Sequence, residues 1–538
     1  MQLEQIQLPV TNLLYADYIA HEDKTQQFFE YNVSEEHFQK RAAYLQTQTY
    51  QSQLVADAIE QYMQPFSISE AVKENITLLR NGALTVVGGQ QAGILTGPLY
   101  SVHKAITVLL LARKQSERLA QPIVPVFWIA GEDHDLEEIN HTFTMTERDV
   151  KKRAYSKRSH KKTMASYTEF DKEEMNRVIT QIFADYGETP YTKQLLASVN
   201  DAIQSTKTFT QFFTKLMNEL FSKHGLLMID AADPALRQIE SAYFVRLIEQ
   251  SEAIAKDVYA QEEKLAACGY PKPIQANENG VNLFYVKDGE RHLLEWEQGI
   301  AKNNAAMLKF SKDELLEIAK QSPTKLSNNV VTRPVMQEMV FPVLAFVGGP
   351  GELAYWATLK PAFEQMNLQM PIFVPRMQMT FVTRQSQAVL TKLNLSVEDV
   401  FSGRAEAQLQ AFLSEIEDQT AIHAIHELQQ TLQTAYASLE THLQSQSVNL
   451  TNILEKNNQL HVQHLQYLQQ KVTEQVQLKH EVQIKRFETV RNEFIPISSL
   501  QERVYSPYKY MNEVGTTLID ELMEIPFEIN SKHNIVFF

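Results

Sequence analysis

The chain has 538 residues, 65 of them acidic and 50 basic, giving a formal charge of -15, with 44% hydrophobic and 21% charged residues. That length predicts two or three domains, and the composition is that of an ordinary soluble globular protein. The acidic balance argues against nucleic acid or an anionic membrane as a partner, and a lone cysteine, Cys268, excludes an internal disulfide and argues against a cysteine-based zinc site.

The N-terminus has no basic region leading into an apolar one, and no run reaches the ~18 apolar residues of a membrane span, so a cytoplasmic location is expected. Residues 1–81 read as a mostly helical layer packed on the first sheet. The stretch from Leu84 to Asn140 then gives a β-branched strand, a glycine-rich turn, a long helix, a second apolar strand and an acidic and histidine cluster. This is one βαβ unit with its polar residues at the strand ends, where open α/β sheets hold their ligands.

The basic stretch Lys151 to Lys162 reads as a solvated hairpin or surface loop, with a cationic flap over an anionic ligand as the alternative. Three amphipathic helices follow, near Lys172 to Tyr186, Tyr191 to Gln204 and Phe209 to His224. The sheet resumes with Leu226 to Ile229, ending at Asp230, and Asp233-Pro234 opens a helix running to about Ala267. Asn282 to Trp296 is predicted as a hairpin turning at Asp288-Gly289, inserted outside the central sheet. The first motif is then repeated: strand Phe341 to Val347, a turn at Gly348, Gly349 and Gly351, and a helix from Glu352 to Met366. A further strand, Pro371 to Val374, ends at Pro375-Arg376. The fold expected is a doubly wound, Rossmann-like α/β core with insertions.

From Ser396 to Phe494 apolar residues recur three or four apart, as at Leu428, Leu432, Tyr436 and Leu439. Two long helices broken near Ser445 to Asn449 predict an antiparallel coiled-coil hairpin, and Ile497 to Phe538 returns to the main body. The expected parts are 1–145 and 326–390 as the two halves of the core with 226–275 continuing it, insertions at 146–225 and 276–325, the coiled coil at 391–496, and 497–538 as the return.

The candidate site residues lie at the strand ends. Gly88, Gly89, Gly93 and Gly97 allow a backbone close to a ligand, although the turn matches neither a Walker A loop nor G-x-G-x-x-G. Gln90, Gln91, Thr96, Tyr100, His103 and Lys104 crowd the same region, and Lys104 has the charge to neutralise a phosphate. Glu132, Asp133, His134 and Asp135 follow the second strand; Asp135 with Glu138 fits a capping box, while the other three suit acid/base work, amine binding or metal coordination. One histidine among carboxylates is a weak metal signature, so no metal ligands are assigned. Arg333 and Arg376 are candidates for bidentate binding of carboxylate or phosphate, Glu352 and Tyr355 for facing the ligand, and Asp230 is one more polar strand end.

The segments GGQQAGILTGPLYSVHK and PVFWIAGEDHDLEEIN, followed by LSNNVVTRPVMQ, FVGGPGELAYW, PRMQMT and LQERVYSPY, closely resemble the cysteine ligase family of bacillithiol biosynthesis, BshC, over the full chain. The resemblance implies a Rossmann-type core akin to nucleotidyltransferases and class I synthetases, connecting-peptide insertions, and a coiled coil that makes a homodimer. It implies amide formation between cysteine and glucosaminyl malate in the last step of the pathway. The implied site includes Gln90, Gln91, Thr96, Tyr100 and Glu132 to Asp135. The synthetase H-x-G-H sequence is replaced by GQQAG, and Lys325-Leu326-Ser327 is a faint echo of the second synthetase signature. The expected chemistry has ATP activating the carboxylate, Lys104 and the glycine-turn amides holding phosphate, Arg333 or Arg376 holding a carboxylate, and His134 or Glu132 deprotonating the amine. Two alternatives remain at this point: a nucleotide-binding scaffold for pathway enzymes, and a nucleotidyltransferase acting on another small carboxylic acid.

Overall fold

A computed structural model describes residues 1–10, 12–146, 149–157 and 163–538. Two compact units result, one formed by 1–146, 150–383 and 499–538, the other by 384–498 with Asp149. No helix among the described residues is long and apolar enough to cross a membrane.

The first unit is built on five parallel strands: β1 (Leu84–Gln90), β2 (Ile123–Ile129), β3 (Leu227–Asp230), β4 (Val343–Gly348) and β5 (Ile372–Pro375), in the order β5-β4-β1-β2-β3. β1 pairs with β2 from Leu84↔Ile123 to Gln90↔Ile129 and with β4 from Thr85↔Val343 to Val347↔Gly88. Every residue of β2 is buried, as a parallel strand covered on both faces requires. The order reverses between β1 and β4, so a crevice opens at the carboxyl ends of those two strands.

The helix Leu99–Leu119 returns the chain from β1 to β2 and buries Val102, Ala105, Ile106, Val108 and Leu109. It lies so close to β1 that a Cβ on Gly88 would stand 2.7 Å from Val108 Cγ2 and 3.3 Å from Lys104 Cγ. The missing side chain at Gly88 therefore opens the path by which the Lys104 stem reaches the strand's end. The layer of residues 1–81 docks through buried Arg41, which donates to the Val343 carbonyl at 3.1 Å and the Gln369 carbonyl at 2.9 Å and pairs with Glu338.

Several elements differ from the sequence-based expectation. Gln2–Ile6 is a strand, paired with His533–Phe537, which in turn joins Gln378–Val382. Its polar sequence, QLEQI, has no local strand pattern; the partner across the chain makes it one. The 282–296 hairpin does turn at Asp288-Gly289, both at positive φ, but belongs to a five-stranded antiparallel sheet with Ile300–Asn303, Leu308–Ser311 and Leu326–Asn328. The helix predicted over 352–366 is two helices, Pro350–Trp356 and Lys360–Gln365, and Pro361 in the first turn of the second accounts for the break. In the basic stretch, Lys151 to Arg153 form part of strand Val150–Ala154, paired with His141–Met145, whereas 158–162 lie outside the described residues.

The second unit contains the predicted pair of long helices, Gln419–Ser445 and Thr451–Lys479, running antiparallel with the Tyr436 and His461 rings 6.0 Å apart. Shorter helices precede them, and Glu481–Phe494 follows. Of the two long helices only Ile425 is buried, while Leu428, Leu439, Ile453, Leu460 and Leu468 are each at least 44% exposed.

Gly88→Ala should destabilise the chain by about 1–3 kcal/mol through overpacking. Denaturant unfolding checks this, and Gly88→Ala/Val108→Ala should recover part of the loss because it removes the clashing methyl.

Candidate active site

A cavity of about 540 Å³ opens at the switch point. It is lined by Gly89, Gln90 and Gln91 at the end of β1, Ala130 and Asp133 after β2, Gly349 to Glu352 after β4, and Arg376 after β5. Tyr100, Lys104, Glu138, Arg333, Tyr355 and Arg503 complete the wall.

Lys104 sits at its centre, 1% exposed. Its ammonium donates to the Gly89 carbonyl at 2.6 Å, Gln90 Oε1 at 3.1 Å and Glu352 Oε2 at 2.6 Å. Burial pushes its pKa down, opposed by the Glu352 carboxylate. Glu352 also accepts the Gly349 amide at 2.8 Å, so one carboxylate ties the end of β4 to the lysine beside β1.

Arg333 and Arg503 are cations of the wall that are not committed to a carboxylate. Among the described residues, neither forms an ion pair. Arg333 holds the Tyr355 hydroxyl, and its Nε is buried without a hydrogen-bond partner. Burial pushes the Tyr355 phenol up to about 12, so it stays protonated. Arg376 differs: its Nη1 and Nη2 donate to Glu502 at 3.0 and 2.7 Å, and Glu502 also accepts from His103 Nδ1 at 3.0 Å and the Met379 amide at 3.1 Å. Burial alone would raise the Glu502 pKa, but Arg376 and His103 hold it far below the carboxylate range. The fork of Arg376 is thus already occupied, and Arg503, the next residue after Glu502, lines the cavity as well.

In the same wall the Gln91 amide nitrogen bridges two carboxylates, Asp133 Oδ2 at 2.7 Å and Glu138 Oε2 at 2.6 Å. Burial raises the Asp133 pKa, but the Gln91 hydrogen bond and the Arg291 charge outweigh it, leaving the carboxyl below its ordinary value. The capping box expected of Asp135 and Glu138 does not form. Asp135 makes no side-chain cap, and Glu138 faces the cavity instead.

Other candidates are drawn elsewhere. Glu132 is 4% exposed and accepts from Arg237, from Ser327 Oγ at 2.7 Å and from the Asn328 amide at 3.3 Å, so it is a buried anchor rather than a base facing the cavity. His134 packs edge-on against Phe284, with ring centroids 6.3 Å apart, outside the wall. His103 is buried against Glu502, and Thr96 is buried with its hydroxyl on the Leu95 carbonyl. Gly93 and Gly97 serve close packing of the turn, since a Cβ on Gly93 would meet Gly97 Cα at 2.7 Å. Gly88 makes room for the helix and Gly348 for Phe373. Asp135 is exposed off the cavity, and Asp230 is tied to Ser166 Oγ at 2.5 Å and the Ala232 amide at 2.9 Å.

Glu138 and Arg503 are thus the charged wall residues with no predicted ligand role. Glu138 looked like a cap, and Arg503 lies too far along the chain for any spacing argument.

A Rossmann-ordered parallel sheet with a charged cavity at its switch point, joined in one chain to a helical hairpin, defines a Rossmann-like protein with a coiled-coil unit. Residues 1–377 match the N-terminal Rossmann-like domain of bacillithiol biosynthesis BshC and residues 379–538 its C-terminal coiled-coil domain; the chain belongs to that family. Relatives named "Putative cysteine ligase BshC" are 49% identical in Lysinibacillus sphaericus, 38% in Geobacillus kaustophilus and 34% in Bacillus thuringiensis subsp. konkukian, each covering 100% of both chains.

Burial pushes the Asp230 carboxyl from its ordinary 3.8 up to about 6. The folded chain holds that proton where the unfolded chain has lost it, so stability falls as pH rises through this window. Asp230→Asn should therefore stabilise the protein by roughly 1–3 kcal/mol above pH 6, with the gain vanishing below about pH 4. Thermal melts across pH check it.

Proposed function

We propose that the chain forms the amide bond between the carboxyl carbon of L-cysteine and the amine of glucosaminyl malate, as the last step of bacillithiol formation in the cytoplasm. The observation that carries this reading is the polarity of the cavity. Arg333 and Arg503 lie without ion-pair partners among the described residues, while Asp133 and Glu138 are gathered around one nitrogen. A ligand carrying both carboxylates and an amine matches such a wall.

A free carboxylate is a poor acyl donor, and ATP is the proposed co-substrate that supplies the leaving group. Its fit rests on Arg503, which lines the cavity and forms no ion pair among the described residues, because an anion would satisfy it. Each N–H of Lys104 is already donated, so the lysine contributes charge to the cavity while Arg503 contributes hydrogen bonds to phosphate. Arg333, backed by Tyr355, holds a malate carboxylate. The backbone at Gly89, Gly349 and Gly351 leaves the strand ends accessible to the nucleotide.

Purified protein incubated with L-cysteine, glucosaminyl malate and ATP should yield bacillithiol with matching nucleotide consumption, followed by mass spectrometry. Arg333→Ala should raise KM for glucosaminyl malate by about 10- to 100-fold, the loss expected for a charge-assisted contact of roughly 1.5–3 kcal/mol. Folded protein that makes no product from intact substrates overturns the reading.

The dimer belongs to the same proposal. Leu428, Leu439, Ile453, Leu460 and Leu468 leave the helical hairpin with exposed apolar side chains that a second copy would bury. Leu460→Glu should shift the dimer towards monomer in sedimentation, and an unchanged mass would refute this interface.

A further inference from the structure

We propose that Glu138 is the general base that takes the proton from the attacking amine, in a cradle whose place the Gln91 amide nitrogen holds when no ligand is bound. The proposal rests on the amide-forming reading above and assigns the amine end of that site.

Three carboxylates line the cavity: Asp133, Glu138 and Glu352. Glu352 is committed to Lys104 and to the Gly349 amide. Asp133 accepts the His134 amide at 2.8 Å and the Gln91 amide, and lies 4.0 Å from the Arg291 guanidinium. Donors and a cation around it favour its ionised form, which suits an anchor for an ammonium and makes a weak base. Glu138 accepts a hydrogen bond from Gln91, forms no ion pair among the described residues, and is exposed. Of the three, it is the one that is exposed and has neither an ion pair nor a backbone donor among the described residues.

The bridge itself supplies the second argument. A single nitrogen lies 2.7 Å from one carboxylate and 2.6 Å from the other, which is the arrangement a primary ammonium adopts between two carboxylates. Gln91 supplies a neutral donor at that point, and a charged amine exchanged for it gains from both anions. Arg333, in the same wall and with a buried, unpartnered Nε, supplies the opposite charge that fixes the direction of the ligand.

In the step that follows, the ammonium of the amino sugar gives one proton to Glu138. The freed lone pair attacks the carbonyl carbon of the nucleotide-activated cysteine carboxyl. Glu138, exposed to solvent, passes that proton to water and takes the second one from the nitrogen as the C–N bond forms and the C–O bond to the phosphate-bearing leaving group breaks, so the leaving group keeps the electron pair and a neutral amide results. Asp133 holds the nitrogen in place and remains ionised throughout.

The test uses the full-length protein in single-turnover assays with L-cysteine, glucosaminyl malate and ATP. Glu138→Gln should slow bond formation by about 10²–10⁴-fold, well beyond the smaller loss in glucosaminyl malate binding that removing one of the two anions brings. Glu138→Ala should recover activity on addition of formate or azide, a response that loss of a structural contact does not give. Product formation at the wild-type rate in Glu138→Gln, or no rescue of a folded Glu138→Ala, overturns the assignment while leaving the ligase reading intact. A wild-type protein that makes no product removes both.

Discussion

An ammonium withdrawn from water must find its solvation in the protein, and the core of this molecule is arranged around that requirement at Lys104. Its three hydrogen bonds go to the end of β1, to the side chain that follows it and to the helix after β4. These are the segments on either side of the strand-order reversal. The crevice is therefore spanned by the hydrogen bonds of one lysine, and Glu352 is the counterion that opposes the downward push of burial on its pKa. Gly88 belongs to the same constraint, because a side chain there would occupy the lysine's path.

Two further carboxylates connect segments remote in sequence. Glu132 joins the loop after β2 to Arg237 in the helix after β3 and to the last residues of strand Leu326–Asn328. Glu502 joins the C-terminal segment to Arg376 after β5 and to His103 in the helix after β1. Neither touches the cavity, yet each fixes a loop that does. Their burial explains why acidic residues at strand ends, which look catalytic in isolation, divide here into anchors and ligand-facing groups.

The parallel core was legible because its strands are continuous apolar runs ending in glycine or charge, a pattern that comes from burial on both faces. The long helices were legible from their spacing. The three-residue strand Leu326–Asn328 and the polar strand Gln2–Ile6 were not, since neither carries periodicity and both exist through pairing with distant partners. At the cavity wall, Gln90, Gln91, Tyr100, Lys104, Asp133, Glu352 and Tyr355 were legible from the turns and helix starts that follow strands, and Arg333 from the chemistry of its guanidinium. Glu132 and His134 lie outside the cavity wall, which the sequence does not reveal because it does not show which way successive loop residues point. Glu138 hid behind a capping pattern, and Arg503 behind its distance from every other site residue.

The strand His533–Phe537 lies between the strand Gln2–Ile6 and the strand Gln378–Val382, so the chain's first and last strands share one small sheet. The segment 499–538 also delivers Glu502 and Arg503 to the body. A ribosome making this protein thus completes the five-stranded core well before it has made the residues that lock Arg376 and finish the cavity wall. The nascent chain can fold its scaffold early but stays without a finished site until synthesis has passed the whole helical hairpin, so chemistry begins only when the coiled-coil unit has already been made.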